Sequence, residues 1–219
     1  TYDGSVLNVT LTDARITGFD NVGGIVGITG YGTVSNCTVT ESDITATVNG
    51  CYGIIFGFCK LGTLTNNYYH GCTVNGNAVT SGVGCKGADI TANNGAVPAR
   101  RVNFADDVSA TPAIGTDGAN GFLFDADGNG TPENYYRDGI ELTLSYSGDV
   151  PAGYVFNGFT VYDETISSEP FTFTVTADAQ VGVAFALAPV SYIDANGKTQ
   201  QCTDYNVLTG NPNGCDNLS

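Results

Sequence analysis

Apolar residues occur in this sequence in short runs that alternate with polar residues, as in "SVLNVTLT" at 5–12. Alternation with a period of two places successive side chains on opposite faces of a strand, whereas a helix repeats every three to four residues. Glycine and asparagine interrupt the runs at short intervals, and both favour tight turns. The pattern therefore predicts an all-β protein built from many short strands.

Three segments repeat this pattern, 5–17, 33–45 and 63–75, with offsets of 28 and 30 residues. Aligned in register, they place residues of like chemistry in four columns. The columns are Val6, Val34 and Leu64; Asn8, Asn36 and Asn66; Leu11, Val39 and Tyr69; and Ile16, Ile44 and Val74. Such a repeat is typical of a β-solenoid, in which each repeat forms one coil and stacking buries the apolar columns. We therefore predict a short β-solenoid of about three coils.

The asparagine column marks a predicted corner of each coil. The apolar columns before and after it have opposite parity, so the chain must turn between them. Asparagine tolerates left-handed backbone conformations, and stacked asparagine side chains can hydrogen-bond from coil to coil. We interpret Asn8, Asn36 and Asn66 as a structural ladder rather than a ligand site.

The segment "GGIVGITGYG" (23–32) has the glycine content of a phosphate-binding loop. It has a counterpart in "YGIIFGFCKLG" (52–62) and a degenerate third copy in "SGVGCKG" (81–87). The alignment pairs Gly24 with Gly53 and brings Gly27 near Gly57. A phosphate loop has no reason to recur in each repeat, and it requires a following helix, which the pattern does not predict. We interpret these glycines as places where strands pack closely and turn sharply.

The pattern "G-I-V-G", followed by "G-T-V-S-N-C-T-V", resembles the GLUG repeat of bacterial surface and adhesin-like proteins. The resemblance covers residues 5–90 and is best in the second coil. The third copy departs from it, because Asn67 and His70 replace apolar or small residues, and we expect the stack to end there. The resemblance implies a secreted or cell-surface bacterial protein with a role in cell adhesion.

The segment "ANNGAVPARRVNF" (92–104) is a predicted boundary, because the repeat stops there and Pro98 precedes a basic pair. Strand-like runs separated by turn formers follow it. They cover 139–147, 154–163, 170–177 and 180–188. We therefore divide the chain into a GLUG-like solenoid (1–98), a second β module (99–190), and a tail or start of a further domain (191–219). A hairpin is predicted at Asn196-Gly197 of the tail.

The order "ELTLS", "PAGYVFNGFTV", "FTFTVTADAQVGVAF" within 139–187 resembles the internalin-type B-repeat, a small β-rich module of secreted bacterial proteins. An aromatic position that is often Trp in that family is Phe159 here. The resemblance implies one module among several, with adjacent domains of a longer chain as partners. The polar start "TYDGSV" without Met also leads us to expect a processed chain or an excised fragment.

The formal net charge of −15 is unevenly distributed. Residues 1–98 carry six acidic and three basic side chains, whereas 99–219 carry sixteen and four. Such an acidic chain repels nucleic acid and anionic lipid, so we expect no nucleic-acid partner. No apolar run approaches the roughly 20 residues that span a bilayer, so we predict no membrane insertion within this sequence.

Seven cysteines leave at least one thiol unpaired or paired outside this sequence. No C-x-x-C pair occurs, and the single His70 has no partner at ligand spacing, so zinc is disfavoured. We expect the thiols to pack as small hydrophobes, with Cys37 buried and reduced.

The segment "DADGNGTPENYYRDG" (125–139) places oxygen-bearing residues at positions 1, 3, 5, 7 and 9 of a calcium loop. They are Asp125, Asp127, Asn129, Thr131 and Glu133. Position 12, which is normally a bidentate Glu, is Tyr136. The alternative is a hairpin tip, because Asp-Gly and Asn-Gly are also preferred turn formers. No cofactor is expected apart from this candidate calcium ion.

Two tyrosine pairs beside basic side chains are candidate ligand-binding residues. They are Tyr68 and Tyr69 next to His70, and Tyr135 and Tyr136 next to Arg137. Tyrosine rings stack on sugars and on partner side chains. Strand alternation offers the alternative that one ring of each pair packs inward and the other lies on the surface.

The sequence identifies no catalytic residue, because its one His lies far from any Ser or Cys in a recognisable nucleophile motif. We predict a non-enzymatic module for adhesion or structural presentation, binding a host or self surface glycan or protein. The alternative is an accessory, carbohydrate-binding part of a larger carbohydrate-active enzyme whose catalytic domain lies elsewhere.

Overall fold

A computed structural model describes residues 3–48, 51–79, 85–86, 96–193, 196–202, 205–206 and 211–212. These residues form strands joined by turns, with no helix among them, which confirms the predicted all-β class. Up to residue 86 the strands are β1 (Ser5–Leu7), β2 (Thr10–Thr12), β3 (Arg15–Gly18), β4 (Val22–Gly23), β5 (Val26–Thr29), β6 (Thr33–Ser35), β7 (Thr38–Thr40), β8 (Asp43–Ala46), β9 (Tyr52–Gly53), β10 (Phe56–Cys59), β11 (Thr63–Thr65), β12 (Asn67–His70), β13 (Thr73–Val74), β14 (Asn77–Ala78) and β15 (Cys85–Lys86). From residue 96 onward they are β16 (Ala96–Phe104), β17 (Val108–Thr111), β18 (Gly121–Phe124), β19 (Glu133–Arg137), β20 (Glu141–Tyr146), β21 (Tyr154–Val161), β22 (Glu164–Ile166), β23 (Thr172–Thr174), β24 (Ala179–Leu187), β25 (Val190–Ile193), β26 (Thr199–Cys202), β27 (Tyr205–Asn206) and β28 (Asn211–Pro212).

The chain forms two compact units, each assembled from separate segments. Unit 1 comprises Thr1–Asn103, Pro112–Leu142 and Thr174–Ala179. Unit 2 comprises Phe104–Thr111, Thr143–Phe173 and Gln180–Ser219. The predicted boundary between residues 98 and 99 lies within strand β16.

Parallel pairing between successive repeats organises unit 1. We call the three sets β1-β6-β11, β2-β7-β12 and β3-β8-β13 the repeat ladder. The offsets are those that the sequence predicts, 28 residues from the first repeat to the second and 30 from the second to the third. The paired apolar positions are Val6, Val34 and Leu64; Leu11, Val39 and Tyr69; and Ile16, Ile44 and Val74.

The aligned apolar side chains form the core of unit 1. Val34, Val39 and Ile44 of the second repeat are fully buried, because a neighbouring repeat covers each on both sides. β-Branched side chains suit this position, since their restricted rotamers fit a pleated, buried surface. Their first-repeat equivalents are only partly buried.

The asparagine column forms the predicted corners. Asn8, Asn36 and Asn66 have left-handed backbones, with φ of 56°, 54° and 51°. The Asn36 side-chain amide donates to Oδ1 of Asn8 at 3.3 Å, as a ladder requires. The third member departs from this pattern, since the Asn66 amide donates instead to the carbonyl of Asp117 at 3.0 Å.

The glycine-rich segments also stack in parallel. At the start of these segments the register differs by one residue from the predicted register. Gly23, rather than Gly24, pairs with Gly53. The constant offset of 30 residues, which also pairs Val26 with Phe56, explains the difference. A Cβ added at Gly23 would lie 2.6 Å from the Gly57 backbone nitrogen, so glycine is needed for close strand packing.

The third repeat does not end the sheet, contrary to expectation. Strand β16 pairs in parallel with β12, and Ala96, Val97 and Pro98 align with Asn67, Tyr68 and Tyr69. The buried Asn67 side chain accepts from the Cys37 backbone N–H at 3.0 Å and donates to the Val34 carbonyl at 2.9 Å. These two bonds satisfy a polar group in the core, so its presence there does not interrupt stacking. Of the predicted third glycine copy, 81–84 and 87 lie outside the described residues, whereas β15 pairs with β10.

Antiparallel strands complete both units. In unit 1, β16 pairs with β19 and β19 with β18. In unit 2, β17 pairs with β20, and β21 pairs with both β22 and β24. The four predicted runs after residue 138 contain β20, β21, β23 and all of β24 except Ala179. The predicted tail hairpin is confirmed by the antiparallel pair β25 and β26.

Candidate functional site

Sheet pairing in unit 1 brings the two predicted tyrosine pairs together. Tyr68, Tyr69 and His70 are consecutive on β12, and Tyr135 and Tyr136 are adjacent on β19. Strand β16 pairs with both of these strands. Because side chains alternate along a strand, Tyr69 packs in the core of the repeat ladder, whereas Tyr68 packs with Tyr135 in a second cluster.

The four tyrosines are buried, and the expectation of one exposed ring in each pair is wrong. Their exposed fractions are 2–3%. Strand alternation places one ring outside only where one sheet face meets water, and both faces are covered here. Tyr68 donates to the carbonyl of Ala119 at 2.9 Å, and the Tyr135 ring stacks on Phe122 at 4.9 Å. These rings therefore serve packing and present no open face for stacking on a sugar.

The His70 imidazole lies between backbone and carboxylate groups. Its Nδ1 is 3.0 Å from the carbonyl of Ala99, and its Nε2 is 3.7 Å from Glu41 Oε1 and 3.6 Å from Asp178 Oδ2. A carbonyl only accepts, so Nδ1 is the donor, and a proton on Nε2 would contact both carboxylates favourably. The ring also lies edge-on against Tyr135, with centroids 5.0 Å apart.

The charged neighbours of His70 are held in place by further bonds. Asp178 Oδ1 accepts from the Arg101 backbone N–H at 2.9 Å, which directs Oδ2 towards the imidazole. Arg100 Nε donates to Asp138 Oδ1 at 2.6 Å. The 30-residue offset of the repeats pairs Thr40 with His70 and so brings Glu41 close to the imidazole, whereas the sequence gives no signal for Asp178.

A cavity of about 610 Å³ opens beside these residues. Tyr69, His70, Cys72, Arg100 and Asp178 contribute to its wall. We call this cavity the His70 cleft. Among the described residues the buried Tyr69 hydroxyl has no hydrogen-bond partner, and leaving such a group unpaired costs about 1–3 kcal/mol. Burial raises the pKa of Tyr69 to about 12, so the hydroxyl is neutral and can both donate and accept.

Three free thiols are buried in unit 1, which confirms the expectation for Cys37 and adds Cys59 and Cys72. Burial raises the pKa of the Cys72 thiol to about 11, and its Sγ donates to the Val39 carbonyl at 3.3 Å. A thiol that stays protonated at neutral pH is a poor nucleophile, although it lines the His70 cleft. Cys51 is disulfide-bonded. The side chains of Cys85, Cys202 and Cys215 lie outside the described part of the chain.

The candidate calcium loop is the tip of the β18–β19 hairpin. Phe124 pairs with Glu133 at its base. The Asp125 carboxylate accepts from the backbone N–H groups of Asn129 at 3.1 Å and Gly130 at 2.8 Å. The carboxylate is therefore engaged with the backbone of its own turn, as in the hairpin alternative.

The remaining polar groups of this loop are bonded in the same way. Asp127 accepts from the Asn129 backbone N–H at 3.1 Å, and Glu133 accepts from that of Ala126 at 2.8 Å. Asn129 Oδ1 accepts from the Thr131 N–H at 2.7 Å. In the described ranges no three His, Cys, Asp or Glu side chains are arranged as metal ligands. Calcium binding at this loop stays a prediction.

The second repeat, which pairs with a neighbouring repeat on each side, is similar in sequence to a known motif. The GLUG motif matches residues 20–45. The match includes the segments of β4–β7 and most of β8, together with the Asn36 corner. The GLUG motif typically occurs in secreted or surface proteins of bacteria. No curated protein and no solved structure matches the chain significantly. Within the described residues, no helix has the length and apolarity to cross a membrane.

Proposed function

We propose that this chain is a non-enzymatic module of a secreted or cell-surface bacterial protein, acting in adhesion or structural presentation. The observation that carries the proposal is the GLUG motif at 20–45, on a segment that pairs in parallel with equivalent segments on both sides. In this proposal the repeats form a β-solenoid of three coils, and residues 139–187 form an internalin-type B-repeat-like module. Protease treatment of intact cells tests the location, since a surface protein is cleaved while a cytoplasmic marker survives.

We further propose that a host or self surface glycan binds in the His70 cleft. The support is chemical, because sugar hydroxyls donate to a carboxylate such as that of Asp178, which lies in the cleft wall. Arg100 adds N–H donors at the same wall. This mode uses polar edges of the cleft rather than the stacking faces of the four buried tyrosines.

A glycan array with the whole chain tests this proposal. We expect wild type to bind a restricted class of glycans, and Asp178→Asn to weaken that binding about tenfold, equivalent to about 1.4 kcal/mol. Leu123→Ala is the matched control, because Leu123 is exposed and lies away from the cleft wall. Absence of glycan binding by wild type, or equal binding by the two variants, would contradict the assignment. If the chain bound a surface protein and no glycan, the adhesion proposal would hold and the ligand would be a protein.

The second candidate function is an accessory carbohydrate-binding part of a larger carbohydrate-active enzyme. The polar lining of the His70 cleft favours it, since such a surface suits a polysaccharide as well as a host glycan. The two functions differ in ligand. Retention on an insoluble plant or microbial polysaccharide, without binding to host glycans, would favour the enzyme-associated role.

The calcium hypothesis has its own test. A bound ion must raise the unfolding midpoint relative to chelator, because it binds only the folded loop. Asp125→Asn and Asp127→Asn should abolish the rise, whereas Asp163→Asn, in the β21–β22 turn of unit 2, should not. An unchanged midpoint in wild type would leave the loop as a hairpin tip.

A further inference from the structure

Unit 2 contains a cavity with four aromatic rings in its wall. Its volume is about 440 Å³. The rings of Tyr146, Phe156, Phe159 and Phe171 line it together with the carboxylate-bearing Glu169. The size is within the range of small-ligand sites, and neither the GLUG motif nor the His70 cleft includes these residues. We call this cavity the aromatic pocket.

The rings form walls in two perpendicular directions. Tyr146 stacks on Phe156 with centroids 5.5 Å apart and planes 7° apart. Phe171 stands at 83° to Phe156, with centroids 5.5 Å apart. The Tyr146 hydroxyl donates to the carbonyl of Asp149 at 2.9 Å, which fixes the ring and engages its polar group. The wall therefore combines aromatic rings with polar groups.

The charge of the pocket and of unit 2 favours a cation. Glu169 is exposed, and among the described residues no basic side chain forms an ion pair with it. By sequence, unit 2 carries nine Asp and Glu residues and one Lys. Such an excess of one sign raises the local concentration of oppositely charged ligands. The faces of aromatic rings add attraction for a cation within about 6 Å of the centroid.

We propose that the aromatic pocket binds a quaternary ammonium group. Primary ammonium groups keep three N–H donors that need acceptors, and aromatic rings are poor replacements for water. A quaternary ammonium has no N–H, so its methyl groups pack on the rings while Glu169 balances its charge. This inference is independent of the proposed glycan site, because it concerns different residues in the other unit.

Titration of the whole chain with choline, followed by calorimetry and NMR, tests the proposal. The neutral comparator is 3,3-dimethyl-1-butanol, which has the same shape without the charge. We expect choline to bind about tenfold more tightly, equivalent to about 1.4 kcal/mol, since the faces of aromatic rings attract a cation and not its neutral analogue. Equal affinities, no choline binding, or equally tight binding of N-acetyl-lysine amide would overturn the proposal.

Two variants locate the site. Glu169→Gln and Phe156→Leu should each weaken choline binding, whereas Tyr154→Phe, at an exposed ring outside the pocket wall, should not. If Phe156→Leu fails to fold, choline-induced shifts of the ring protons of Phe156 and Phe171 in wild type decide instead. Shifts confined to other residues would overturn the assignment.

The ammonium group could belong to a free metabolite or to a lipid headgroup, and vesicles distinguish these sources. Co-sedimentation with phosphatidylcholine vesicles, absent with vesicles of phosphatidylglycerol, would identify the headgroup. Binding of choline without vesicle binding would identify a soluble ligand. Binding to neither overturns the proposal. Choline binding should also weaken as NaCl rises, because salt screens the contribution of Glu169.

Discussion

The cores of the two units are built from different side chains on similar short strands. In unit 1 the buried positions are like residues in register, such as Val34 beneath Val6 and Ile44 beneath Ile16. In unit 2 rings such as Phe156, Phe159 and Phe171 pack edge-to-face with centroids 5.2–5.5 Å apart. Stacking of repeats spreads stability over many equivalent contacts, whereas a ring cluster concentrates it in a few large side chains.

The ring cluster predicts the largest single effect. Phe159 is fully buried and contacts two other rings, so Phe159→Ala should lower the free energy of unfolding by about 3–5 kcal/mol. Tyr154→Ala, at an exposed position on the same strand, should change it by less than about 0.5 kcal/mol. Urea unfolding measures both. Similar effects of the two changes would mean that the cluster is not the core of unit 2.

Close packing of strands in unit 1 predicts that stability is sensitive to substitution of glycines instead. A Cβ at Gly57 would lie 2.6 Å from the backbone nitrogen of Val22, so Gly57→Ala must shift a paired strand and should cost about 1–3 kcal/mol. At Gly115 the nearest atom is a side-chain oxygen of Asp117 at 3.0 Å, which can move. Gly115→Ala is therefore the control. Equal midpoints for the two variants would refute close packing at Gly57.

The buried Cys72 thiol makes the stability of unit 1 depend on pH in the alkaline range. The pKa of Cys72 rises from its ordinary value of 9.0 to about 11 on folding, so between these values the unfolded chain binds fewer protons. The contribution of Cys72 to the free energy of unfolding is fully present below pH 9. It falls by up to about 2 kcal/mol as the pH approaches 11. Cys72→Ala should lose less stability than wild type between pH 8 and 10.5 in urea unfolding. Parallel pH profiles would contradict this coupling.

Removing the hydroxyl group from each of two adjacent tyrosines should change the stability of the chain in opposite directions. These are the smallest of the expected effects. Tyr68 donates a hydrogen bond to Ala119, so Tyr68→Phe should destabilise the chain by about 0.5–1.5 kcal/mol. The Tyr69 hydroxyl is buried without a partner among the described residues, so Tyr69→Phe should stabilise the ligand-free chain by about 1 kcal/mol. Thermal unfolding measures both. Destabilisation by Tyr69→Phe would show that its hydroxyl is satisfied in solution.

Sequence reasoning succeeded where residues recur. The columns through Val39 and Ile44 and the left-handed Asn36 corner follow from chemistry repeated at a fixed offset, and both are present in the structure. The register of the glycine segments was wrong by one residue at Gly24, since similar glycines on either side of a pair permit two alignments.

The candidate site was less predictable, because part of it comes from a segment outside the repeats. The 30-residue offset places Glu41 near His70, but it carries no information about Asp178. The burial of Tyr68 and Tyr135 was missed for a related reason. Alternation alone does not tell whether the outer face of a strand meets water or another layer.

The register of the repeat ladder has a consequence for how such a chain changes over generations. Gain or loss of one whole repeat of 28 or 30 residues would leave every remaining residue opposite its equivalent. An insertion of one residue within a strand such as β7 would instead turn Val39 towards the opposite face. Selection should therefore tolerate duplication of entire repeats while removing short insertions within strands, so related chains should differ in length by whole repeats.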